Sequence, residues 1–144
     1  MSVENAPKPL VFFVDRCLGR KVFNALKQAG LTVKFHDDEF AQGTEDQDWL
    51  LVVGQRGWIV LTKDQAIGRN SIERIAVASA NVRFFTLNRQ DCTGAEMADI
   101  FCKAIGAMQN FIRKHPAPFM AKVNRAGKVE GWRDRDELLR EISS

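Results

Sequence analysis

Trp58-Ile59-Val60-Leu61-Thr62-Lys63-Asp64 is the stretch on which the reading of this 144-residue chain turns. Four consecutive apolar residues that break off at a hydroxyl, a cation and an acid predict a strand buried on both faces, Trp58 to Leu61. The acid just beyond its last apolar residue then falls at the carboxyl edge of a sheet, which is where open α/β sheets bind their ligands. Leu10-Val11-Phe12-Phe13-Val14-Asp15 repeats the arrangement near the start of the chain. A carboxylate-dense segment, Asp37 to Asp48, lies between the two copies.

Working outward, the pattern alternates strand and helix. After a strand at 10–14, the apolar spacing of Leu18, Val22, Phe23, Ala25, Leu26 and Ala29 predicts a helix over 16–29, closed by Gly30. Leu31 to Phe35 alternates as a less buried second strand. Residues 36–44 read as an acidic loop, and Thr44 or Asp46 as the cap of a helix over 47–55. Beyond the central strand come a loop over 64–70, a helix from Ser71 to about Ala80, and a fourth strand over 82–87. Thr93 and Glu96 form a capping box that starts a long helix over 94–113. This order argues an α/β fold, a three-layer parallel sheet flanked by helices. Past His115-Pro116-Ala117-Pro118 the character changes: 119–123 and 129–132 bracket Asn124-Arg125-Ala126-Gly127 as a β-hairpin, and 133–144 read as a short helix. The organisation expected is therefore a disordered lead-in over 1–9, one domain over 10–113, and a C-terminal hairpin and helix extension over 114–144 packed on that domain.

Composition excludes several classes. The chain is 45% hydrophobic and 27% charged with net charge +3, the balance of a soluble globular protein. A mild positive charge is compatible with a nucleic-acid partner, and Arg113, Lys114, Lys122, Arg125, Lys128, Arg133 and Arg135 concentrate it in the tail. Those charges read equally as a solvated hairpin or as a docking surface for an acidic partner. Three cysteines, Cys17, Cys92 and Cys102, are too far apart for a zinc or disulfide framework and read as small buried apolar residues. No apolar run approaches a membrane span and the first residues have no signal-peptide core, so a cytoplasmic protein is expected.

The carboxylates carry the chemistry. Right-handed crossovers place all carboxyl ends of parallel strands on one side. Asp15 follows the first strand, Asp64 the third, and Asp46 and Asp48 open a helix whose N-terminus lies at the same edge. Each Asp by itself reads as a cap or turn former; together, with nothing to neutralise them, they point to a divalent cation. Such an ion can stabilise a phosphate undergoing in-line displacement. Lys63 and Arg69 on the neighbouring loop, with Arg16 beside Asp15, are the candidate contacts to that phosphate. Asp37, Asp38 and Glu39 read as a solvated loop, and neither His36 nor His115 has a nucleophile beside it.

Three segments carry a resemblance: Phe12-Phe13-Val14-Asp15 with Leu18-Gly19; Phe40 through Leu50; and Gly57 through Asp64. Together they resemble the PIN-like ribonuclease superfamily, and within it the small VapC-like toxins of type II toxin–antitoxin pairs. The likeness covers residues 10–90, and the hairpin after Pro118-Phe119 is similar too. It implies a ribonuclease dependent on Mg2+ or Mn2+ with Asp15, Asp46 and Asp64 as metal ligands. Asp48 competes with Asp46 for one family position. It also implies an RNA substrate, a cognate antitoxin, and a homodimer as a further partner. A fourth acid expected after the fourth strand has only Asn88 and Asp91 to offer here. Two alternatives remain beside it: a catalytically weak module of the same fold that acts by protein binding, and a receiver-like phosphoacceptor domain.

Overall fold

The computed structural model describes residues 9–88 and 91–143. Apart from Pro9, the lead-in expected over 1–9 lies outside the described residues. Strand and helix alternate as the apolar pattern requires: β1 Val11–Val14, α1 Gly19–Gln28, β2 Thr32–Phe35, α2 His36–Glu39, α3 Asp46–Gln55, β3 Ile59–Thr62, α4 Ser71–Ser79, β4 Arg83–Leu87, α5 Gly94–Lys114, β5 Phe119–Val123, β6 Val129–Arg133 and α6 Arg135–Ser143. Short 3-10 turns at Arg16–Leu18 and Gln65–Gly68 follow β1 and β3.

The sheet has the order β2-β1-β3-β4-β5-β6, parallel throughout except for the antiparallel β5–β6 hairpin. β3 lies between β1 and β4, and every residue of Ile59–Thr62 is buried, as its unbroken apolar run foretold. Successive side chains alternate between the faces, so each strand feeds two cores. Phe12, Val14, Ile59, Leu61, Phe85 and Leu87 meet α1 and α5 on one side. Phe13, Val60, Phe84 and Met120 meet α3, α4 and Leu138 of α6 on the other. Each large apolar side chain buried in this way contributes about 1.5–3 kcal/mol.

Three elements depart from the sequence reading. The helix expected from Arg16 begins with a 3-10 turn, because the Asp15 side chain accepts from Arg16 N and Gly19, at φ 80°, resets the backbone before α1. The acidic loop contains a helical turn, α2, whose acids are paired with Arg16, Arg20 and Arg56 rather than left to solvent. The C-terminal hairpin does not merely pack on the sheet. β5 pairs in parallel with β4 from Arg83↔Phe119 to Leu87↔Val123, so the hairpin extends the sheet itself.

Candidate functional site

Strand register builds a polar row across the carboxyl edge. Val14 is paired with Phe35 on one side and Leu61 on the other, so one residue further along stand His36, Asp15 and Thr62. Thr62 pairs with Thr86, and Thr86 with Lys122. All five share the face of Phe13, Val60, Phe84 and Met120, because side chains two apart on a strand point the same way.

Asp15 is only 7% exposed, and its carboxylate is gripped from several directions. Oδ1 accepts from Arg16 N at 2.7 Å. Oδ2 accepts from Thr62 Oγ1 at 2.7 Å and from Cys17 Sγ at 3.5 Å. Thr62 Oγ1 in turn accepts from Asp64 N at 3.0 Å, which ties the ends of β1 and β3 together. Burial nevertheless raises the Asp15 pKa above the usual carboxylate value, the bonds opposing it and the Asp46 charge adding to it. Cys17 corrects the reading of the cysteines as buried apolar fillers. As a residue it is exposed, yet its sulfur lies 3.3 Å from Thr62 Oγ1 and within 3.5 Å of Lys63 N. Burial of that sulfur, then the Asp15 charge, pushes its thiol up to about 12, so it stays protonated. Cys92 and Cys102 are half-buried beside the α1–α5 core.

Asp64 caps the 3-10 turn, accepting from Ala66 N at 3.0 Å; burial and then Asp46 raise its pKa. Asp46 opens α3 but does not cap it. The cap is Glu45, without a side-chain bond, and Thr44 instead closes its own loop on Ala41 O at 2.6 Å. Asp46 Oδ1 accepts from Trp49 Nε1 at 2.9 Å, and that ring is fully packed inside, so the aspartate is held by the core.

A fourth carboxyl joins them from an unexpected place. Glu73, in the first turn of α4, hydrogen-bonds Asp46 and rises to about 7 through burial first, then that bond and the charges of Asp46, Asp64 and Glu45. Its Oε2 is buried with no donor facing it. The sequence offered no sign of this, since an acid in a helix's first turn reads as a response to the helix dipole. The positions expected to supply that acid do not: Asn88 turns its amide to Gln65, and both it and Asp91 are exposed and stand outside the cleft lining.

Asp15, Arg16, Cys17, His36, Asp46 and Asp64, with the 43–45 loop, line an open cleft of about 550 Å³. Asp48, two residues beyond Asp46, is exposed and does not line it. Of the three phosphate candidates only Arg16 lines the cleft, held by Asp37 at 3.6 Å and by Gln42, whose amide oxygen accepts from its Nη2 at 2.7 Å. Lys63 and Arg69 stand on the adjoining segment; Arg69 Nη2 donates to Gln65 at 3.2 Å. His36, passed over in the sequence, is a buried member of the lining. Its signal was positional: it follows β2 as Asp15 follows β1.

Among the described residues no three acid, histidine or cysteine side chains close around one point as a finished metal cage. The donor set still suits a hard dication. Asp15, Asp46 and Asp64 face one cleft, Asp15 and Asp64 with pKa raised, and behind Asp46 a buried oxygen of Glu73 lacks a donor. A cation would relieve each of these costs.

A mostly parallel sheet in three layers, with carboxylates gathered at its carboxyl edge, defines the class, and the PIN-like domain family model matches residues 10–89. The chain belongs to that family. It is 33% identical over 117 residues, 78% of this chain and 84% of the relative, to a Mycobacterium tuberculosis protein (strain ATCC 25618 / H37Rv) whose name reads "Putative ribonuclease VapC45". No solved structure matches the chain. Family membership sets aside the receiver-like alternative.

Proposed function

We propose that this protein is a divalent-cation-dependent endoribonuclease, the toxin of a toxin–antitoxin pair. The observation that carries this reading is the meeting of Asp15, Asp46 and Asp64 in one cleft, in a chain similar to a protein named as a ribonuclease. Those three would hold Mg2+ or Mn2+, which supplies charge stabilisation to the phosphate and acidifies a water. Thr62 and Cys17 fix the rotamer of Asp15, and Trp49 fixes Asp46. Glu73 stands behind Asp46 as a carboxyl that holds a proton near neutrality. Arg16 faces the cleft, and Lys63 and Arg69 extend the cationic rim along which an RNA backbone would lie.

A protein partner has support of its own. Leu51 on α3 and Ile72 and Ile75 on α4 are exposed at 38%, 58% and 40% on neighbouring helices beside the acids. An antitoxin seated there would cover apolar surface and the cleft mouth together. No helix among the described residues is long and apolar enough to cross a membrane, and a cytoplasmic site of action fits an RNA substrate.

The test is cleavage of single-stranded RNA with Mg2+ or Mn2+ by Asp15→Asn and Asp64→Asn. Both should lose cleavage while keeping the wild-type circular dichroism spectrum. Cutting at the wild-type rate by both variants would sink the mechanism.

A further inference from the structure

His36 is 5% exposed, and its ring is wedged among Phe13, Phe40 and Trp49 at centroid distances of 6.0, 5.7 and 5.8 Å. Nδ1 lies 3.1 Å from Asp37 Oδ1, so this nitrogen carries the proton and donates to the carboxylate. Nε2 is left as the lone-pair nitrogen. No hydrogen bond reaches it among the described residues, and the imidazole lines the acidic cleft. Register sets it directly beside Asp15.

Within the aromatic cluster the Asp37 bond satisfies one ring nitrogen and leaves the other for the cleft. A cation in the cleft would give that nitrogen a partner. A carboxylate that orients an imidazole through its other nitrogen is the arrangement that holds and strengthens a nitrogen ligand.

We propose that His36, oriented by Asp37, supplies a nitrogen donor to the cation of this cleft and tilts its preference from Mg2+ toward first-row transition dications such as Mn2+. Oxygen-only sites suit Mg2+, whereas imidazole favours the transition metals. The proposal rests on the reading of the cleft as a cation site.

The test is binding of Mn2+ and Mg2+ to the full chain by calorimetry, together with pulsed EPR of the Mn2+-loaded protein without RNA. Wild type should show a 14N coupling; the chain has only two histidines, and His115 sits at the opposite end of the sheet. His36→Phe, which preserves the aromatic packing, should lose that coupling and bind Mn2+ at least about tenfold more weakly, with Mg2+ affinity unchanged. Asp37→Ala should keep the coupling and weaken Mn2+ less. Absence of 14N coupling in wild type, or an unaltered Mn2+ to Mg2+ ratio in His36→Phe, overturns the assignment while leaving the cation site standing. Failure of wild type to bind either ion overturns both. Should His36→Phe fail to fold, the wild-type coupling alone decides.

Discussion

Asp46 is the residue on which the cleft's electrostatics converge, since its charge raises the pKa of Asp15, Asp64 and Glu73 alike. In each case desolvation is the larger cause, and both causes favour the protonated form in the folded state. The cation-free folded protein therefore binds more protons than the unfolded chain from about pH 4, where unfolded carboxyls titrate, up to about 7, where Glu73 does. Its stability should fall as pH rises through this window. Asp38 and Glu96, shifted downward by their partners, are ionised in both states over most of it and do not reverse the sign. Melting without metal should thus be higher at about pH 5.5 than at about pH 8, and Mn2+ should remove the difference. Glu73→Gln keeps a hydrogen bond to Asp46 without the acid, so its cation-free melting profile should flatten over the upper part of this range. An unchanged slope would mean that Glu73 is not the group responsible. At this scale the sequence revealed Asp15, Asp46 and Asp64, each adjoining a readable element. Glu73 and His36 were missed because neither stands out until a neighbouring helix or strand is placed against it.

Among the elements, the 3-10 turn Gln65–Gly68 shows how the cleft is held from outside. It carries Asp64 at its start and is pinned at its end, where Gly68 O accepts from Arg74 Nη1 at 3.2 Å and Arg133 Nε at 3.0 Å. Gly68 is packed so closely that a Cβ there would meet the ring of Trp132. Gly68→Ala should therefore displace Trp132 or lift the turn, at a cost of about 1–3 kcal/mol. Lifting the turn moves Asp64, so cation affinity measured by calorimetry should fall alongside the melting temperature. A variant that melts lower but binds Mn2+ as wild type does would show that the turn yields without moving the acid. Residues 64–70 read as a plain loop because their order comes from Trp132 and Arg133, more than sixty positions later. The basic tail looks different for the same reason. Lys122 stacks over Trp132 at 4.5 Å, Arg133 anchors the turn, and Arg125 pairs with Glu96, so these three tail cations serve the fold as well as the surface.

For the whole molecule, the consequence of the topology is that the C-terminal segment belongs to the sheet. β5 supplies Phe119, Met120, Ala121 and Val123 to the cores on both faces, and α6 adds Leu138. At about 1.5–3 kcal/mol for each large apolar side chain, removing them is comparable with the entire stability of about 5–15 kcal/mol expected of such a domain. A chain ended after Lys114 should accordingly fail to fold, giving a far-ultraviolet spectrum of disordered chain and collapsed amide dispersion. A cooperative melt from that fragment would show that the first four strands suffice.

Most of this architecture was set by local chemistry that any folded arrangement must honour. Unbroken apolar runs demand strands buried on both faces, helical spacing demands one buried stripe, and acids directly after parallel strands must emerge at one edge. That is why β1, β3 and their terminal aspartates could be read from residues 10–15 and 58–64. Only the tertiary structure decided what lies across the space between them. Register set His36 beside Asp15, helix packing brought Glu73 against Asp46, and the sheet order made the hairpin a fifth and sixth strand. Contacts of that kind join residues far apart in the chain, and no local period or cap records them.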